Sequence, residues 1–141
     1  MSRKTTTSQS DSALNVFNYF EGKCYTARSP LLGADGAKGE WMSLTASNLI
    51  KNGVYEKIII VSSGIGDTSI KRWAKGNDLN RMFIDVISNL SKEYSITDFI
   101  FHQGEADKKT YGYVYEFYFK TLIESIRNVE ANAPIFISVA T

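Results

Sequence analysis

Two polar stretches concentrate the side chains of this sequence that could do chemistry. One is "FHQGEAD", residues 101–107, where the only histidine of the chain, His102, stands beside Gln103 and close to Glu105 and Asp107. A histidine near a carboxylate can serve as a general base. A glutamine amide can donate to a developing oxyanion and cannot lose its proton. Neighbours on a strand point to opposite faces, however, so His102 and Gln103 reach one substrate only if the strand ends before them. Otherwise the stretch is a polar network that ties loops together. One histidine and two carboxylates at this spacing match no metal-ligand pattern, and neither a metal nor a cofactor is expected.

The second stretch is "SSGIGDTSIKRW", residues 62–73. A Gly-x-Gly turn can offer backbone N–H groups to a phosphate, with Thr68 and Ser69 adding hydroxyls. The same geometry suits an oxyanion hole, and a plain turn is the third reading. The phosphate reading lacks both the P-loop lysine and a Gly-x-Gly-x-x-Gly spacing.

The elements that would position these loops follow from periodicity. "NVFNYFEGKCY" is a short aromatic segment, either a strand or a packed loop, and "SPLLGADGAKGEW" is a glycine-rich loop. From Trp41 a helical face runs through Met42, Ala46, Leu49 and Ile50, with a stop at Asn52-Gly53. "KIIIVS", residues 57–62, is a β-branched run typical of a strand buried on both faces. Leu79, Met82, Phe83, Val86, Ile87 and Leu90 form a core-facing helical stripe. "TDFIFH" is a further strand, and residues 111–131 carry a second stripe through Tyr115, Tyr118, Phe119, Leu122, Ile126 and Val129 before Pro134. "PIFISVA" is the last strand.

This alternation predicts an α/β fold with an open parallel sheet and helices on both faces. In such sheets ligands gather at the carboxyl ends of strands, where both polar loops fall. The last strand runs to Thr141 with no covering helix after it, so the domain is expected to continue beyond it.

The chain has 141 residues, 43% of them hydrophobic and 22% charged, and a formal net charge of +1. That composition describes one ordinary globular domain. The 16 lysines and arginines form no basic stripe, which argues against a nucleic-acid partner. Cys24 is alone, so no internal disulfide forms. No apolar run approaches the roughly 20 residues of a membrane span, and the start has no secretory core segment. Residues 1–15 are polar and Ser/Thr-rich, which predicts a disordered arm, with the domain itself at 16–141. Neither the compartment nor the oligomeric state is encoded legibly.

With these residues in view, "FHQGEAD" resembles the "WHQGESD" signature of the sialate O-acetylesterase-like carbohydrate esterases, a branch of the SGNH hydrolase superfamily. "IGDTSIKRW" resembles that branch's "GGTSIxxW" block, with Asp67 in place of the second glycine. "SPLLGADGAKGEWMSLTASNLI" is similar to its "DPLLGATGxGGSVWxxLxxLLI" stretch. The likeness runs in order from Val16 to Thr141.

The resemblance implies a flavodoxin-like three-layer α/β/α fold and serine-dependent removal of acetyl or related acyl groups from sugars. Gly66 would supply a backbone N–H and Gln103 a side-chain N–H to the oxyanion. Glu105 would hold its loop, and Thr68, Trp73 and His102 would lie on the substrate side. The family's nucleophile sits in a "GQSN" block and its histidine and aspartate in a "DxxH" block. No "DxxH" occurs downstream of the HQGE block, and His102 belongs to a different motif. Upstream, "SQSD" puts Ser10 in the nucleophile's place, without the glycine and without a preceding hydrophobic strand. The expectation is therefore that the opening strand and its serine lie before Met1, with Ser10 the one candidate inside the chain. On this basis the chain alone should be nearly inactive. The alternatives are a non-catalytic glycan-binding module derived from the same fold, and a nucleotide binder working through "SGIGDTS".

Overall fold

Asn15 opens a hairpin whose central turn fixes the first sheet. The computed structural model describes residues 15–35 and 41–139. Ser10, nearly all of the expected arm, and Gly36 and Gly39 lie outside the described residues. Strands β1 (Val16–Phe20) and β2 (Lys23–Thr26) pair antiparallel, with Phe20 opposite Lys23. Glu21 and Gly22, at φ of 46° and 82°, make the two-residue link. Two consecutive left-handed residues are what a right-twisted hairpin needs. The aromatic segment is thus a strand, and the "KCY" portion is its partner.

The described chain divides into two compact units between Gly66 and Asp67. In the first, β1 lies between β2 and β3 (Ile58–Ile60) and runs parallel to β3. Val16, Leu31, Ala46 and Ile60 form its core, with Met42, Ile50 and Ile58 packed around them. Helix α1 (Met42–Lys51) ends as its sequence implies. Gly53 N–H donates to Ile50 O at 3.0 Å and Val54 N–H to Leu49 O at 2.9 Å, while Gly53 takes a φ of 73°. This is the Schellman closure that an Asn-Gly stop favours. Buried Asn18 accepts Leu32 N–H at 2.6 Å and donates to Ile60 O at 3.3 Å, tying the glycine-rich loop to the sheet.

The second unit contains α2 (Ile70–Trp73), α3 (Asp78–Leu90), β4 (Phe99–Gln103), α4 (Gly112–Val129) and β5 (Ile135–Val139). Its core joins Ile70, Trp73, Leu79, Ile87, Phe99, Leu122, Ile126 and Ala133. Edge-on ring contacts link Trp73 to Phe83 and Phe83 to Phe99. Strands β4 and β5 are parallel, with His102 opposite Ser138. Of the α3 stripe, Leu79, Met82, Phe83 and Ile87 lie in or against the core, joined by Ile84 in place of Val86 and Leu90.

Three expectations change. The described strands form two small sheets, and β1 and β2 pair antiparallel where all pairings were expected parallel, so the fold is mixed α/β with four helices among the described residues. Ile100, Phe136 and Ile137 are exposed, so β4 and β5 are not buried on both faces. Val129 is exposed as well, although Ile126 in the same last turn of α4 belongs to the core cluster. Among the described residues, no helix is long and apolar enough to cross a membrane.

Candidate functional site

The "HQGEAD" loop begins where β4 ends. Gly104 adopts a φ of 144°, a region closed to most side chains, and a 3-10 turn follows at Glu105–Asp107. Because β4 runs through Gln103, His102 and Gln103 point to opposite faces. Gln103 turns toward the packed side and His102 toward solvent.

All three polar positions of the Gln103 side chain are engaged. Its Nε2 donates to the Thr68 carbonyl at 3.0 Å and to Asp107 Oδ2, and its Oε1 accepts the Tyr115 hydroxyl at 2.6 Å. The amide orientation follows from chemistry, because a carbonyl and a carboxylate can only accept. Both amide hydrogens therefore have internal partners, and in this arrangement neither is left for an oxyanion.

Asp107, only 8% exposed, is the centre of the network. It accepts Ile70 N–H at 2.7 Å, the Gln103 amide, and the Thr110 hydroxyl at 2.9 Å. The first of these bonds satisfies a backbone donor at the start of α2, where nearby helical carbonyls cannot. Burial, then the negative charge of Asp107, pushes the Tyr115 phenol above its ordinary value, so it stays protonated as the donor to Gln103.

Asp107 and Tyr115 are the functional-site residues that sequence reasoning missed. Asp107 was visible as a second carboxylate four places after Gln103, but its burial was not. Tyr115 read only as part of a helical stripe.

Several site expectations shift accordingly. Glu105 was expected to hold the loop. Its side chain is 65% exposed, and its one ion-pair contact is with His102 Nε2 at 3.5 Å, so the support comes from Asp107. Thr68 and Trp73, expected beside the pocket, are 5% and 6% exposed. The Trp73 indole N–H donates to Thr68 Oγ1 at 2.9 Å, which makes both part of the packed frame. His102 lies on the solvent side of β4, away from this network.

Gly66 closes the first unit. Its exposed N–H donates to Asp35 Oδ2 at 2.8 Å. The backbone donor that the motif assigns to an oxyanion therefore holds an anionic oxygen supplied by the chain itself. Asp67, at a φ of 54°, stands where the family pattern has glycine, and aspartate is one of the few other residues that tolerate the left-handed region.

Chemically, these features amount to a backbone N–H suited to negative oxygen and a rigid, fully bonded frame around Gln103. Among the described residues, no group of three or more histidine, cysteine or acidic side chains is placed to hold a metal ion. A family model described as "Carbohydrate esterase, sialic acid-specific acetylesterase" matches residues 5–140. No curated protein matches the chain.

Proposed function

The chain belongs to the carbohydrate esterase family of sialic acid-specific acetylesterases, and we propose that it takes part in serine-dependent hydrolysis of O-acetyl or related acyl esters on sugars. The observation that carries this reading is the Gly66 N–H bonded to the carboxylate oxygen of Asp35. A carboxylate oxygen resembles the oxygen of a tetrahedral acyl intermediate in charge and in its demand for donors. In the proposed reaction a base takes the serine proton as the serine oxygen attacks the ester carbonyl, and the Gly66 N–H stabilises the oxyanion. Collapse breaks the ester C–O bond, the sugar leaves as an alcohol carrying that proton, and water then hydrolyses the acyl-serine to the free acid and the serine. Asp35 must swing aside for the ester to enter.

We assign Gln103 as a positioning residue. Its amide locks the Thr68 carbonyl and Asp107 together, and so fixes the segment leading into α2. The flavodoxin-like α/β/α architecture implied by the resemblance belongs to this same reading.

One observation favours a second reading, a glycan-binding module without turnover. The only histidine of the chain is on the solvent side of β4 and pairs with Glu105. The test is hydrolysis of p-nitrophenyl acetate by the purified 141-residue chain. Little turnover is expected, because His102 is not directed toward the Gln103 network. Saturable turnover abolished by Ser10→Ala would instead make Ser10 the nucleophile. Sugar binding by the protein with no release of acetate would favour the binding module.

A further inference from the structure

The segment joining the Asp107 network to α4 reads "KKTYGYVYEF". It exposes three aromatic rings within seven residues: Tyr111 is 72% exposed, Tyr113 74% and Phe117 63%. Tyr111 and Tyr113 lie nearly parallel, their centroids 5.8 Å apart and their planes 14° apart. Tyr113 and Phe117 are one helical turn apart and so share a face of α4. Every large exposed hydrophobic side chain between residues 105 and 120 is aromatic. Flat rings with a negative face suit a ligand that presents polarised C–H groups to them.

We infer that Tyr111, Tyr113 and Phe117 form a stacking platform for the sugar rings of a carboxylated glycan, with Lys108 and Lys109 receiving its negative charge. The inference rests on the acyl-sugar reading above and adds to it the place where the carbohydrate is held. Two observations select this occupant. Lys108 and Lys109 are exposed immediately before the rings, and among the described residues neither forms an ion pair, so they complement an anionic sugar. The platform is also continuous with the Asp107–Gln103 network of the second unit. Thr110, next to Tyr111, donates to Asp107, and Tyr115, between Tyr113 and Phe117, donates to Gln103. A sugar on the rings is thus held by the same helix start that the network fixes. Pyranose C–H groups would rest on the outer ring faces while its hydroxyls stay in water and its carboxylate reaches the lysines.

The test is a calorimetric titration of the chain with 3′-sialyllactose as the charged probe and lactose as the neutral one. Saturable binding of sialyllactose in the millimolar range is expected, with lactose weaker by about five-fold. Tyr113→Ala should lower the affinity about ten-fold, a typical loss for a stacked ring. Lys108→Gln combined with Lys109→Gln should remove the preference for the charged sugar. Circular dichroism melting controls for fold, and the exposed rings should leave it unchanged. The effect of Gly66→Pro on acetate release, which leaves the rings and lysines untouched, bears on the esterase reading alone, so failure of that reading is distinguishable from failure of the platform. Absence of binding, equal affinity for the two probes, or binding unaffected by Tyr113→Ala would overturn the proposal. So would a dimer in sedimentation that Tyr113→Ala dissociates while no sugar binds, since a second copy would then be the occupant.

Discussion

Asp107 is a buried carboxylate whose acceptor capacity is met by three donors on three segments of the second unit. Removing it strands the Ile70 N–H and one hydrogen of Gln103, so Asp107→Ala should cost about 2–3 kcal/mol in urea unfolding. Glu105→Gln, in the same loop but exposed, should stay within roughly 0.5 kcal/mol. Equal effects of the two would remove Asp107 from its central place. Tyr115→Phe leaves the Gln103 carbonyl oxygen without its donor and should cost about 1 kcal/mol. Its pH dependence follows from the raised phenol. The unfolded chain releases this proton first, so the stabilisation is complete below the ordinary phenol value of about 10 and is lost as pH rises through the folded one. The wild type should therefore lose stability relative to Tyr115→Phe in alkaline urea melts. At this scale the sequence identified the right loop but not the right carboxylate. Glu105 and Asp107 differ only in which side of a 3-10 turn they occupy, and the turn depends on Gly104 at a φ of 144°.

Among the elements, the β1–β2 hairpin carries a local conflict. A two-residue turn with both φ angles positive favours Asn-Gly, and this chain has Glu21-Gly22. Glu21→Asn should raise stability by about 0.5–1 kcal/mol, seen as a higher melting temperature. Gly33 presents the opposite case. A Cβ there would lie 2.7 Å from the Ser62 carbonyl oxygen, at a φ of 86°. Gly33→Ala should therefore cost about 1–3 kcal/mol and loosen the loop that Asn18 holds. Helices α1, α3 and α4 were legible because each repeats its apolar face over several turns. Helix α2 was not, since "IKRW" is too short for periodicity and its first N–H is satisfied by Asp107, far along the chain. The pairing of "KCY" with β1 was hidden for a similar reason: all four residues of β2 are exposed, so no buried alternation marks it.

Across the whole molecule, residue type gave the α/β class and motif order gave the family, which the match over residues 5–140 supports. Sheet organisation was less legible, because strand runs such as "KIIIVS" report burial propensity and not which strand pairs with which. The chemical claim depends on the exposed Gly66 N–H, the donor now bonded to Asp35. The most direct test is release of acetate from O-acetylated sialic acid by the protein, comparing wild type with Gly66→Pro, which deletes that donor, and with melting temperature as the control for fold. The account predicts a kcat lowered roughly 100-fold or more with little change in KM. An unchanged kcat in a folded Gly66→Pro protein would contradict it.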